Sequence, residues 1–269
     1  MPMDPGASPS PVSVTANGSS ITLPPSLRGR PPVLLRPAVR RAIRQRMVRF
    51  REASLDRLAV LTGKPRSEIQ GFRRELTASA LPDILINRGA GIPSTQEFPQ
   101  AGLLYLLVRG QRPQRVIETG VRPGYTTAWI LAALEANGEG TLHSLGPGPT
   151  AHRIQSVRDV TVGQFVPPAL RGRWTLVLGN TLDNLRELLA AQKPVDLFLY
   201  DNGPDADRAR FELHSAWAAL SPRGILLAHH VDANPAWSDF CRAQGVAEQI
   251  LDPGPPRLGA VGMSRSGRP

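Results

Sequence analysis

The residues best suited to chemistry in this chain stand at the ends of short apolar runs. Glu118 closes one such run, Asp201 follows a second, and His229 and His230 follow a third. A carboxylate can bind a cation or orient a substrate, and a histidine beside it can take a proton from a hydroxyl group as a general base. Neighbouring residues of a strand point to opposite faces, so at most one of the two histidines is expected to reach Asp201.

A glycine-containing segment, residues 116–131, indicates where a ligand would bind. It reads as a buried strand that breaks at Gly120 and Gly124 and then opens an apolar helix. Glycine at such a turn lets the backbone approach a bound molecule closely. We therefore predict a nucleoside-binding turn that runs from Thr119 to Tyr125. An ordinary strand-to-helix turn is the alternative, because a loose glycine pattern is weak by itself.

The order of elements around this turn predicts a parallel α/β sheet. Four further apolar segments, each followed by turn residues, are predicted strands: 140–149, 174–180, 196–205 and 224–231. Helical patterns lie between them, and strands that alternate with helices form a parallel sheet whose ligands bind at the carboxyl ends of the strands. Segments 247–251 and 257–263 are joined by a connection too short for a crossover helix. We expect these two strands to pair antiparallel.

Three segments carry a resemblance to a known family. VIETGVRPGYTTAWILAALEANGEGTLHSL, DLFLYDNGPD and FELHSAWAALSPRGILLAHHVDAN resemble class I S-adenosylmethionine-dependent methyltransferases of the bacterial small-molecule branch. The resemblance covers residues 93–269. It implies a Rossmann-like, seven-stranded, mostly parallel sheet with an antiparallel C-terminal strand, preceded by an N-terminal helical arm. It also implies S-adenosylmethionine as cofactor and a small-molecule methyl acceptor, with a hydroxyl as the favoured target.

The resemblance assigns cofactor contacts to the glycine turn and to the next two strand ends. The assigned positions are Glu118, Thr119, Gly120, Gly124, Tyr125, Ser144, Gly146 and Asn180. Gly146 stands where the family has an acid for the ribose hydroxyls, and the loss of that bond should cost about 1.5–3 kcal/mol unless Ser144 or His143 compensates. Asn180 replaces an acid near the adenine amino group, and its amide oxygen can accept the same hydrogen bond.

The same resemblance makes Asp201, His230 and His229 the catalytic candidates. The family has an aspartate at the position of Asp201 and a pair of aspartates where this chain has the two histidines. Oxygen ligands suit magnesium and imidazole suits softer transition metals, so the exchange argues against simple magnesium assistance. A divalent metal stays an open question, and no metal ligand is assigned.

Alternatives remain for each of these residues. Asp201 begins Asp-Asn-Gly-Pro, which is turn chemistry by itself, and either histidine can be satisfied by neighbouring backbone. Asp205 and Asp207 are predicted to cap the next helix. Because several family acids are replaced, the alternative function is a degenerate relative that serves as a binding or interaction subunit.

The net charge of +10 lies in one segment. Residues 28–76 contain 14 Lys or Arg and 4 Asp or Glu, and the other residues contain 18 of each. Helical spacing from Pro37 predicts an amphipathic helix with a basic face, and Ser67 with Gln70 resembles a capping box that starts another helix. We predict a disordered tail over residues 1–27 and a basic helical arm over residues 28–92.

Three roles of the arm are open. It can be a lid that closes on substrate, or a nucleic-acid contact, since residues 47–69 resemble the basic strand and two helices of a ribbon-helix-helix module. A homodimer contact or a membrane-surface role is the third. The chain has one cysteine, Cys241, no apolar stretch of membrane-spanning length and no pattern of a signal peptide. We therefore expect a cytoplasmic protein without an internal disulfide.

Overall fold

Helices and strands alternate along the chain from residue 98 onward. The computed structural model describes residues 13–16, 19–22, 37–88, 98–146, 162–179 and 181–263. The α-helices in these residues are α1 Pro37–Met47, α2 Glu52–Thr62, α3 Arg66–Ala78, α4 Leu81–Asn87, α5 Phe98–Gln111, α6 Tyr125–Asn137, α7 Thr181–Gln192, α8 Ala206–Ala219 and α9 Ala236–Ala243, and a 3-10 helix spans Pro168–Arg173. The strands are β1 Ser13–Ala16, β2 Ser19–Thr22, β3 Arg115–Thr119, β4 Thr141–Gly146, β5 Trp174–Leu178, β6 Val195–Tyr200, β7 Leu220–Ala228, β8 Ile250–Asp252 and β9 Leu258–Gly262.

One sheet contains these strands in the order β2-β1-β5-β4-β3-β6-β7-β9-β8. Strands β3 to β7 run parallel, β9 is antiparallel to β7, and β8 is antiparallel to β9. The predicted antiparallel pairing of the last two segments is confirmed, because their connection is a turn and not a crossover. Strands β3 to β9 are the Rossmann-like, mostly parallel, seven-stranded sheet that the sequence predicts.

Helices cover both faces of this sheet. One core lies between the face that carries Val116 and Leu197 and helices α5 and α6. The other lies between the opposite face, which carries Ile117 and Phe198, and helices α7, α8 and α9. Adjacent residues of β3 and β6 thus point into different cores, as the alternation of a strand requires. Both faces are buried, which explains why these strands read as continuous apolar runs.

A short hairpin extends the sheet at one edge. Strands β1 and β2 pair antiparallel, and β1 lies parallel to β5. The hairpin falls within residues 1–27, whose composition predicts disorder, so that prediction does not describe residues 13–16 and 19–22. An edge strand presents unpaired backbone groups, and these accept a further strand through main-chain hydrogen bonds.

Helices α1 to α4 are packed into the same core as α5. Apolar residues from all four helices are fully buried: Met47, Leu55, Leu58, Ile69, Leu76, Leu85 and Ile86. Arg109 of α5 forms an ion pair with Glu75 of α3 at 2.9 Å, and the Tyr105 hydroxyl donates a hydrogen bond to the same carboxylate. The predicted arm is therefore a helical layer on α5. None of the helices in the described part of the chain is both long and apolar enough to cross a membrane.

Two details of this helical layer differ from the sequence predictions. Helix α3 begins at Arg66, after Pro65, and has no side-chain cap, so Ser67 does not cap it. Residues 48–51 form no strand, so the ribbon that the ribbon-helix-helix resemblance implies is absent from this described segment. The physical reason is packing: Met47 and Phe50 are buried against α5 and hold the segment in the core.

Candidate active site

The turn between β3 and α6 brings backbone to the carboxyl edge of the sheet. Gly120, Arg122 and Gly124 adopt left-handed conformations, with φ of 88°, 45° and 83°. A Cβ atom on Gly120 would lie 2.1 Å from the Asp201 carbonyl oxygen, and one on Gly124 would lie 2.9 Å from the Gly163 Cα atom. Contacts within the chain therefore require glycine at both positions, and the close approach of a ligand stays a prediction.

Helix α6 begins at this turn, and no side chain caps its amino terminus. Gly124 is the residue before the helix and offers no side chain. The first N–H groups of a helix have no partner within it, and they carry a partial positive charge that suits an anionic group such as a carboxylate. The side chains of Thr119 and Tyr125 are buried, so a ligand at this turn would meet backbone.

Glu118 is enclosed by hydroxyl groups. Its carboxylate accepts hydrogen bonds from Thr126 Oγ1 at 2.6 Å, Thr127 Oγ1 at 2.7 Å and Ser144 Oγ at 2.8 Å, and it has no exposed surface. Burial raises the pKa of Glu118, and the three hydroxyl donors oppose that rise because they stabilise the ionised form. The carboxylate thereby ties β3 to the first turn of α6 and to β4.

Ser144 and His143, the predicted substitutes for the family's acid that binds the ribose hydroxyls, both point into the protein. Ser144 Oγ accepts a hydrogen bond from Trp174 Nε1 at 2.9 Å and donates to Glu118, so its hydroxyl bridges two buried groups. His143 lies on the other face of β4, in register with Ile117, and burial lowers its pKa. The Ser144 hydroxyl is thus engaged inside the protein and His143 faces the α7 side of the sheet, so compensation by either residue stays a prediction.

Gly146 ends β4 among apolar side chains. A Cβ atom there would lie 3.0 Å from Leu178 Cδ2 and 3.3 Å from Val162 Cγ1. Val121 and Leu178 belong to a small buried cluster at the same place. These described neighbours are hydrocarbon and offer no hydrogen bond in place of the family's acid. Asn180, the other predicted contact of the adenosine, lies outside the described residues.

A buried carboxylate–imidazole pair lies at the carboxyl ends of β6 and β7. His229 Nδ1 is 3.1 Å from Asp201 Oδ1, and the two side chains are 0% and 5% exposed. The Asp201 N–H donates to the Thr119 carbonyl and the His229 N–H to the Tyr200 carbonyl, each at 2.9 Å, so the sheet's ladder continues past the strand ends. The prediction that at most one histidine reaches Asp201 agrees with this geometry, and that histidine is His229.

His230 lies on the turn that follows. Its φ of 58° is left-handed, and its ring centroid is 6.3 Å from that of His229. A non-glycine residue in this region costs free energy and persists only where its surroundings hold it. The Ala233 N–H donates to the His230 carbonyl at 2.9 Å, which fixes the turn. His230 is partly exposed, so it borders the buried pair on the solvent side.

A further buried acid, Glu212, lies under the loop that begins at Asp201. Asn202 Nδ2 donates to Glu212 Oε1 at 2.7 Å, and burial raises the pKa of Glu212 to about 7. Glu212 is not among the site residues predicted from the sequence. Its signal was the helical spacing, because Glu212 lies three residues after Ala209 and four before Ala216, on the buried face of α8.

Arg122 reaches from the glycine turn towards the same loop. A Cβ atom on Gly203 would lie 3.5 Å from Arg122 Nη2. Within the part of the chain that the structure describes, its guanidinium pairs with no carboxylate. Arg122 thus adds positive charge between the carboxyl ends of β3 and β6.

The remaining acids near the site have structural roles. Asp205 accepts a hydrogen bond from the Arg208 N–H at 2.9 Å, so its predicted role as the cap of α8 is confirmed. Asp207 lies in the first turn of α8 and pairs with Arg210 at 2.9 Å. The described ranges contain no group of three His, Cys, Asp or Glu side chains arranged to hold a metal ion.

Comparison with known proteins agrees with this fold. Residues 117–231 match a family model described as a methyltransferase domain. No curated protein sequence matches the chain. Residues 117–231 therefore belong to a class I S-adenosylmethionine-dependent methyltransferase domain.

Solved structures of bacterial proteins share the fold. The O-methyltransferase from Bacillus cereus in complex with S-adenosylhomocysteine has 19% identity and a TM-score of 0.50, over 73% of this chain and 97% of that one. A provisionally assigned O-methyltransferase from Klebsiella pneumoniae has 23% identity and a TM-score of 0.51, over 72% and 94%. A provisionally assigned caffeoyl-CoA O-methyltransferase from Staphylococcus aureus has 11% identity and a TM-score of 0.52, over 72% and 96%.

Proposed function

We propose that this chain is an S-adenosylmethionine-dependent methyltransferase that methylates a hydroxyl group of a small molecule. The observation that carries the proposal is the Asp201–His229 pair, which is buried at the carboxyl edge of the sheet beside the glycine turn. In open α/β sheets ligands bind at this edge. The names of the structurally similar O-methyltransferases support the same kind of acceptor.

The glycine turn and the start of α6 fit the methionine end of the cofactor. The uncapped helix terminus suits its carboxylate, and Arg122 adds a guanidinium at the same edge. The adenosine side fits less well, because Gly146 brings no acid to the ribose hydroxyls. We expect an affinity roughly tenfold to a hundredfold weaker than that of a site with the acid. When bound, the sulfonium cofactor supplies an activated methyl group.

His229 would act as the general base. An imidazole whose Nδ1 is hydrogen-bonded to a carboxylate has Nε2 as its basic nitrogen, so we assign the hydroxyl proton to Nε2 and the stabilisation of the resulting imidazolium to Asp201. The pair is desolvated, and a low dielectric strengthens the interaction between carboxylate and imidazolium. His230, partly exposed on the next turn, would contact the acceptor.

Titration calorimetry with S-adenosylmethionine and S-adenosylhomocysteine tests the proposal. We expect both ligands to bind with one site per chain. Release of S-adenosylhomocysteine from a panel of hydroxylated small molecules would then establish turnover. Folded protein that gives no heat with either ligand at millimolar concentration would contradict the proposal.

The second candidate function is a binding or interaction subunit that has lost the reaction. The apolar surroundings of Gly146 favour it, because neither Leu178 nor Val162 can bind a ribose hydroxyl. This candidate predicts no titration heat and no released product from the folded chain. The same calorimetric experiment therefore separates the two functions.

A further inference from the structure

A wide groove lies between the helical layer and the turn after β8. Its volume is about 1160 Å³. Residues from the end of α1, the start of α2, α3 and the start of α5 form one side, and Asp252, Gly254 and Pro255 form the other. None of the residues assigned to the candidate active site lines it.

The groove carries an excess of positive charge. Four arginines line it: Arg46, Arg49, Arg51 and Arg73. The acid among the lining residues is Asp252, which lies 3.7 Å from Arg51, while Arg73 pairs with Glu52 at 3.2 Å. No described carboxylate pairs with Arg49. Guanidinium groups on a concave surface are suited to a phosphate or carboxylate, which they can bind in a bidentate manner.

Two buried polar atoms in the groove wall strengthen this assignment. Ser54 Oγ and Gln100 Oε1 have no hydrogen-bond partner in the described part of the protein, and their residues are 0% and 1% exposed. Gln100 Nε2 donates to the carbonyl oxygens of Gly254 and Pro256, and these two bonds set the orientation of the amide. A buried polar atom left without a partner costs about 1–3 kcal/mol, and a ligand that supplies the partner removes this cost.

We propose that this groove binds a small organic anion. Arg49, Arg51 and Arg73 would hold its phosphate or carboxylate group, and a hydroxyl or amine of the ligand would donate to Gln100 Oε1. The concave shape is typical of a site for a small molecule. The proposal does not depend on the methyltransferase reaction, because it concerns different residues.

Calorimetric titration of the full chain with pyrophosphate and with citrate, in 50 mM salt, tests the site. We expect one equivalent of at least one anion to bind with a submillimolar Kd, and the comparison of the two identifies phosphate or carboxylate as the preferred group.

Arg49→Gln should weaken binding about tenfold, and Arg49→Lys should restore part of it. Ser54→Ala should weaken binding by a smaller factor. The matched control, Arg223→Gln, alters an exposed arginine outside the groove and should leave Kd unchanged within about twofold.

Three results would overturn the proposal. The first is the absence of binding by either anion up to 20 mM with a folded protein. The second is an equal loss of affinity in Arg49→Gln and Arg223→Gln, which would mean a general charge effect. The third is tight binding of a DNA duplex that neither anion displaces, which would make the basic surface a nucleic-acid contact. Titration of the same variants with S-adenosylmethionine gives an independent readout, so failure of this site and failure of the proposed reaction are distinguishable.

Discussion

Three acidic side chains near the carboxyl edge are buried, and each has a different neighbour. Glu118 accepts from three hydroxyls, Asp201 contacts the imidazole of His229, and Glu212 accepts from the amide of Asn202. These different neighbours give the three acids different roles. Glu118 joins three elements of the fold and Glu212 holds a loop, whereas Asp201 is the acid placed beside a potential base.

Asp201→Asn tests that role. We expect turnover to fall about a hundredfold or more, because general-base catalysis is typically worth that factor, while the Kd for S-adenosylmethionine changes less than about threefold. Kinetics of product release and calorimetry on the same preparation measure the two effects. Asp207→Asn is the matched control, since that side chain is 98% exposed. Equal losses of turnover and cofactor affinity in Asp201→Asn would contradict the assignment.

Glu212 should make stability depend on pH. Its pKa is raised from 4.5 to about 7, mainly by burial, so the folded state holds the proton more tightly than the unfolded state. The contribution of Glu212 to the free energy of unfolding is therefore complete below about pH 4.5 and is lost as the pH rises to about 7. The shift corresponds to about 3 kcal/mol.

Urea unfolding of wild type and Glu212→Gln at pH 5 and pH 8 measures this contribution. Glutamine keeps an oxygen for Asn202 and cannot ionise, so the variant should lose less stability than wild type between the two pH values. Glu187→Gln, a change to an exposed residue of α7, serves as control and should behave as wild type. A Glu212→Gln protein with the wild-type pH dependence would rule out the buried acid as its source.

At the scale of elements, the turn from β3 to α6 is fixed by backbone contacts. At one end of the turn, Gly120 lies against the Asp201 carbonyl. At the other end, the segment before β5 packs on the turn: the Gly163 N–H donates to the Arg122 carbonyl at 3.0 Å and the Phe165 N–H to the Pro123 carbonyl at 2.8 Å. The turn is thus part of the packing between strands. A substitution here changes the fold and the candidate site together.

Gly120→Ala is expected to destabilise the protein by about 3 kcal/mol or more, because the added methyl group would overlap the Asp201 carbonyl and the φ is left-handed. Gly138→Ala is the control. That glycine is also left-handed, with a φ of 72°, but has no atom within 4 Å of the added carbon, so only the conformational cost of about 1 kcal/mol applies. Urea denaturation compares the two. Similar losses of stability in both variants would show that a local shift of the backbone relieves the close contact between the added methyl group and the Asp201 carbonyl.

At the scale of the whole molecule, the N-terminal helices share one core with the sheet. Leu55, Leu58, Ile69 and Leu76 belong to the same cluster as the residues of α5 and α6. A core of this kind couples the helices to the domain, so they should unfold with it. The role of these helices as a lid stays a prediction.

Leu58→Ala tests the coupling. We expect a loss of about 2–5 kcal/mol, because the side chain is fully buried, and Val60→Ala on the same helix should change stability by less than about 0.5 kcal/mol, because Val60 is 77% exposed. All four tryptophans, Trp129, Trp174, Trp217 and Trp237, lie outside these helices. Their fluorescence should report the same shift in midpoint as far-UV circular dichroism. An unchanged fluorescence midpoint would mean that the helices unfold separately.

Much of the fold could be predicted because its signals are local. Apolar runs followed by turn residues gave the parallel strands, and the short connection after Asp252 required an antiparallel pair. The same patterns predicted the cap at Asp205, which the structure contains. Local patterns failed at Ser67 and at residues 48–51, where packing against α5 decides the backbone.

The sequence by itself determined the sheet, the edge at which polar residues gather and the identity of Asp201 as an acid at that edge, because side-chain alternation and connection length act over a few residues. Only the tertiary structure decided that the histidine in contact with Asp201 is His229 and that Ser144 donates a hydrogen bond to Glu118. It also decided that Glu212 is buried under the loop that begins at Asp201. These contacts join residues from separate elements, and their distances depend on how strands and helices pack.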